Sequence, residues 1–207
     1  MKKKLLLTGM ILSILAVALV GGTLAAKTAA TNRNIYANLQ TPTLQVELTS
    51  QAKADDTQVK PGDVIASNYA VKNPATNTNI TEYVRVTVTK YWKDMNGEKV
   101  FDKDVDKIAM NFANQEDWLV LRQTSEQTVL VYKHPLAAGE STDVFLESLT
   151  LDTKLSGYEK CRVGLDVTAE GVQYQKDNNE LNAKAILGAW GTEATLDANG
   201  SITAVAQ

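Results

Sequence analysis

Between Thr81 and Trp92 the chain reads TEYVRVTVTKYW, with Val84, Val86 and Val88 at every second position and Tyr83, Arg85, Thr87, Thr89 and Tyr91 between them. A period of two is that of an extended strand, whose side chains alternate between faces; helical apolar residues recur every three or four positions. The segment is therefore a strand with one continuous apolar face, and such a face must be covered by a second layer. The period recurs along the chain. Leu44, Val46 and Leu48 alternate after Pro42, Ile65, Tyr69 and Val71 follow the turn Pro61-Gly62-Asp63, and Cys161, Val163, Leu165 and Val167 share a face of Cys161–Ala169. Further strands are expected at Trp118–Arg122, Thr128–Lys133 and Thr142–Leu151, separated by turn signals at Asn96-Gly97, Pro135–Gly139 and Gly157. Short helices are expected at Asp104–Phe112 and Asn179–Leu187. This spacing predicts an all-β fold, an antiparallel β-sandwich or jelly roll with short helical insertions.

The first residues obey different rules. Lys2, Lys3 and Lys4 precede an apolar run from Leu5 to Val20, which closes in the small residues LVGGTLAA. That is the layout of a secretory signal peptide, and the run is shorter than the roughly 20 apolar residues needed to span a bilayer. Thr23 and Ala25 supply the small side chains a signal peptidase takes, which predicts a signal peptide over 1–25 cut after Ala25, with Ala26 and Ala30 as neighbouring sites. The released chain would carry no stable membrane anchor and reside outside the cell, in an extracellular matrix or at the cell surface. Residues 26–40, AKTAATNRNIYANLQ, carry only Ile35, Tyr36 and Leu39 as bulky apolar groups, too few to fold alone. They read as a flexible N-terminal segment, followed by a β-sandwich domain over 41–191. The tail 192–207 is expected either as a hairpin about Asn199-Gly200 or without fixed structure.

Composition removes several functions. The chain holds one histidine and one cysteine, so neither a multi-histidine metal site nor an intramolecular disulfide can be built. Export without disulfide staples is compatible with a Gram-positive-like setting. A net charge of −3 gives no reason to expect nucleic acid as a partner. His134 stands beside Pro135 in a turn, and Cys161 lies on the apolar side of a strand, where a thiol behaves as a small hydrophobe. Asp102, Asp104 and Asp106 have the opening spacing of a calcium loop, but Lys107 stands where that loop needs glycine and Ala113 where it needs glutamate. No glycine-rich phosphate loop or GxSxG elbow occurs, so the motifs imply no catalytic residue, metal or cofactor. Tyr83, Tyr91, Trp92, Trp118 and Trp190 read either as core residues or as a platform for stacking on sugars.

Four stretches occur in a telling order: LVGGTLAA, then YANLQTPTLQVEL, then VKPGD at Val59–Asp63, then VKNPATNTNITEYVRVTV from Val71 to Val88. That succession resembles the TasA/camelysin group, and within it the BsaA-type biofilm pilins. The chain departs from the family pattern at Ala26-Lys27-Thr28-Ala29, where aromatic residues are usual, and at Pro42-Thr43-Leu44-Gln45, where Gly-Thr-Leu-Asp is usual. The resemblance implies export through a dedicated signal peptidase and a jelly-roll subunit. It also implies that the N-terminal segment adds as a strand to the next subunit, with Ile35, Tyr36 and Leu39 as its contacts. The partner would then be the chain itself, as a head-to-tail homopolymer in biofilm matrix fibres or pilus-like filaments, with an accessory matrix subunit possible. The alternatives are a secreted glycan-binding module of the surface and a camelysin-like protease, for which the sequence holds no zinc motif.

Overall fold

The structure is a computed structural model that describes residues 14–18, 45–50, 60–77 and 80–206. In chain order its elements are β1 (Ile14–Ala18), β2 (Glu47–Thr49), β3 (Val64–Lys72), β4 (Glu82–Lys93), β5 (Lys99–Val100), β6 (Ile108–Phe112), β7 (Trp118–Gln123), β8 (Gln127–Tyr132), β9 (Leu146–Leu151), β10 (Arg162–Gln173), α1 (Asn179–Trp190), β11 (Glu193–Leu196) and β12 (Ile202–Ala206). Strands make up 48% of the described residues, and the main sheets are antiparallel. One sheet has the order β1-β10-β4-β8-β7, with β5 on the end of β4; the second runs β2-β3-β9-β6.

The valine face of β4 explains the layering. Val84, Val86 and Val88 are fully or almost fully buried against Leu146, Leu149 and Leu151 of β9 and Ile108 of β6 in the opposing sheet. Each such side chain contributes roughly 1.5–3 kcal/mol when removed from water, so this interior dominates stability. The other face of β4 is also covered. Tyr83 packs with Val131, Val172, Ile186, Trp190 and Ile202 in a second apolar cluster. That cluster is closed by α1 and the β11–β12 hairpin, so the domain has three layers. Asn178 caps α1 by accepting from Leu181 N–H, and Gly191 at φ 62° ends the helix in the left-handed conformation that glycine adopts most easily.

The helix expected at Asp104–Phe112 is corrected to a short 3-10 turn at Val105–Lys107 followed by β6. Ile108, Met110 and Phe112 alternate on one face, so the sheet claims the segment. The helix expected at Asn179–Leu187 forms and runs on to Trp190. The tail is a hairpin, turned at Gly200 with φ 81° and fixed by Ile202, which is 1% exposed.

Candidate assembly site

The sandwich ends laterally at two edges. One is formed by the end strands β6 and β7, which are joined by the loop 113–117. It holds a cleft of about 480 Å³ lined by Met110, Phe112, Trp118, Val120 and Leu130 together with neutral polar groups. Trp118 Nε1 and Thr128 Oγ1, both at the cleft wall, have no hydrogen-bond partner among the described residues.

The other edge is formed by β10, with β1 beyond it, and by the end strand β2 of the second sheet. On its inner side β10 pairs antiparallel with β4 without interruption from Arg162↔Lys93 to Gln173↔Glu82. On its outer side it pairs in parallel with β1, through Ile14↔Ala169, Val17↔Gly171 and Ala18↔Val172. This is the one parallel pairing among the described strands, and it joins the sandwich to the apolar run read above as a signal peptide.

Beneath that edge lies Glu82. It is in phase with Val84, Val86 and Val88, so the strand period turns it into the core. It is 0% exposed, and neither carboxyl oxygen has a hydrogen-bond partner among the described residues. Burial alone pushes its pKa from 4.5 to about 8, because no polar group compensates the lost hydration of the anion. Room for the carboxyl comes from Gly171: a Cβ there would stand 2.5 Å from Glu82 Oε2 and 2.7 Å from Val46 Cγ2. Backbone bonds from Glu82 N–H to Leu136 O and from Leu136 N–H to Glu82 O fix the residue at 3.0 and 2.8 Å. Around the same corner Asn73 donates to Ile80 O and Leu136 O, while Asn77 donates to Asn73 Oδ1 and to Gln45 O, each within 2.7–2.9 Å. The uncharged amides thus tie the chain entering β2 to the domain and leave Glu82 unpaired.

The sequence-predicted site residues fall as follows. Ala25, Ala26, Ile35, Tyr36 and Leu39 lie outside the described residues. His134 is exposed, with Nε2 3.4 Å from an Asp117 carboxylate oxygen and Nδ1 3.2 Å from Ser201 Oγ. Cys161 is buried, and burial raises its thiol pKa, which disfavours the nucleophilic thiolate. The aromatic platform is corrected: Tyr83, Trp92, Trp118 and Trp190 are all buried as core residues, which leaves Tyr91 alone on the half-exposed outer face. Glu82 is the residue that sequence reasoning missed. Its signal was available in its phase with the valines, which makes it a charge on an otherwise apolar face.

A model of the family described as camelysin metallo-endopeptidase matches residues 1–198. That description implies a metal, but the donor set does not fit one: among the described residues no three histidine, cysteine, aspartate or glutamate side chains converge, and the sequence has one histidine. No curated protein sequence matches significantly. Among solved structures, a chain from the crystal structure of a CaDoc0917–CaCohA2 complex at pH 5.5 is similar at 7% identity and a TM-score of 0.32, over 56% of this chain and 93% of that one.

Proposed function

The chain belongs to the camelysin metallo-endopeptidase family, and on that membership, which fits a secreted matrix protein, we propose that it is a non-enzymatic structural subunit of extracellular biofilm fibres or pilus-like filaments. Its copies join head to tail: the segment 26–40 of one copy adds as a strand to the sandwich of the next. The observation that supports this reading is the outer edge of β10, which accepts an extended apolar strand from the N-terminal region of the chain. Once a signal peptidase removes that strand, the N–H and C=O groups along the edge have no partner, and an unpaired edge is a template for another strand. A donor from another copy restores the ladder. Such a contact uses two different surfaces and does not close, so it propagates.

The non-enzymatic part of the reading is supported by the chemistry of the groups present. The single histidine is engaged with Asp117 and Ser201, and the single thiol is buried. The experiment compares residues 26–207 with residues 41–207 by circular dichroism, sedimentation and negative-stain microscopy. The longer chain should form filaments and the shorter one should stay monomeric with the same dichroism. Leu39→Asp should behave like the truncation, since an unpaired buried charge costs several kcal/mol. Filaments from the shorter chain would contradict strand addition by 26–40. Proteolysis abolished by a zinc chelator and restored by zinc would contradict the non-enzymatic reading.

A further inference from the structure

We infer that Glu82 is the receptor for a cation carried by the strand that adds to β10, and that the cation is Arg33 of the neighbouring copy. The inference rests on the strand-addition reading above and deepens it to a specific pair. The case rests on a buried acid on the acceptor and a basic residue in the donor sequence.

On the acceptor, Glu82 is an acid without a partner among the described residues. Its carboxyl lies over Gly171, where an added Cβ would meet both Glu82 Oε2 and Val46, and the polar side chains tied to the same corner are the neutral Asn73 and Asn77. The charged residues adjacent on the two strands, Arg85 of β4 and Glu170 of β10, lie on the opposite face, where they pair with each other at 2.5 Å. Gly171 opens the route. Directly paired residues on adjacent strands project to the same face, so a residue added opposite Gly171 points toward the core. With no side chain on Gly171, nothing of that residue stands between the new strand and Glu82 Oε2. In the structure this position of the edge is paired by β1, through Val17↔Gly171.

On the donor, Arg33, Ile35, Ala37 and Leu39 occupy alternate positions. A strand that turns Ile35 and Leu39 inward turns Arg33 inward as well. A guanidinium carried toward the core needs an acceptor, and a carboxylate matches its fork bidentately. Placed opposite Gly171, Arg33 meets the buried carboxyl. The ion pair then satisfies both oxygens, and Glu82 passes from the protonated form in the free subunit to the carboxylate in the filament, releasing one proton to solvent for each subunit added.

That proton gives the test a readout that packing alone would not move. The critical concentration for filament formation is measured from pH 5.5 to 9 for the mature chain, Arg33→Gln, Glu82→Gln, the double variant and Lys27→Gln. For the unaltered chain the association constant should rise close to tenfold per pH unit between about pH 6 and 7.5 and level off above about 8. Arg33→Gln and Glu82→Gln should each raise the critical concentration at pH 7.5 by at least tenfold and abolish the slope. The double variant should be no worse than either single one, and Lys27→Gln, which lies in the same added segment, should keep the slope. Filaments of Arg33→Gln that retain both the original critical concentration and the slope would overturn the pair while leaving strand addition intact. Loss of the slope in Lys27→Gln instead would overturn the assignment to Arg33. Absence of filaments from the unaltered chain at every pH would overturn the strand-addition reading itself.

Discussion

Glu82 makes the stability of the free subunit depend on pH in a direction that can be worked out. In the unfolded chain the carboxyl has its ordinary pKa of 4.5, and in the folded domain burial holds it at about 8. Below 4.5 both states are protonated and the stabilising contribution is complete. Between 4.5 and 8 the folded state keeps a proton that the unfolded state has lost, so stability falls as pH rises and levels off above about 8. The loss is on the order of a few kcal/mol, since each pKa unit is worth about 1.4 kcal/mol. Thermal unfolding of monomeric protein at pH 5 and pH 8.5 should show a lower midpoint at the higher pH, and Glu82→Gln should remove most of that difference. Gly171 supports the same site sterically. Gly171→Ala places a methyl 2.5 Å from Glu82 Oε2 and 2.7 Å from Val46, inside a closed core, and should cost about 1–3 kcal/mol by denaturant unfolding. Gly164→Ala meets the ring of Tyr91, on the half-exposed outer face, and should cost less because that ring can swing away.

Among the elements, the strands that alternate most regularly were the ones most legible in the sequence. The faces of β4 and β10 follow directly from their valines and from Cys161, Val163, Leu165 and Val167. The period fixes face but not layer: Tyr83 was correctly placed opposite the valines, yet nothing in TEYVRVTV says that a helix and a hairpin would bury it. The segment Asp104–Phe112 misled because its polar start masks the short alternation Ile108, Met110, Phe112, and a five-residue strand is too brief to outweigh local propensity. The hairpin β11–β12 is not specified by its own residues, which are only weakly apolar. Tertiary contact settles it through Ile202 and through Tyr83 Oη, which donates to Gly200 O at 2.7 Å. Ile202→Ala should therefore destabilise the whole domain by about 2–5 kcal/mol, read as a shift of the urea midpoint, and not merely free the tail. Residues 26–40, which lie outside the described residues, read in the sequence only as a polar stretch with Ile35, Tyr36 and Leu39, too few apolar groups to specify a fold of their own.

At the scale of the molecule, the two lateral edges make opposed claims. The β10 side receives a strand, lies over an unpaired acid and is where the chain enters β2. The β6–β7 side offers a cleft of about 480 Å³ with apolar walls and two polar atoms that have no hydrogen-bond partner among the described residues. Val120 stands on the β7 edge at 57% exposure, so Val120→Asp changes that edge without disturbing the core. It should leave the critical concentration for filaments unchanged. Backbone hydrogen exchange distinguishes the two edges most directly. Exchange is followed peptide by peptide on filaments of residues 26–207 and on the same chain kept below its critical concentration. The account expects assembly to add protection along Leu165–Gln173 of β10 and across residues 26–40, with β6 and β7 exchanging alike in both samples. New protection confined to Ile108–Phe112 and Trp118–Gln123, with β10 unchanged, would place the contact in the other cleft and contradict the account.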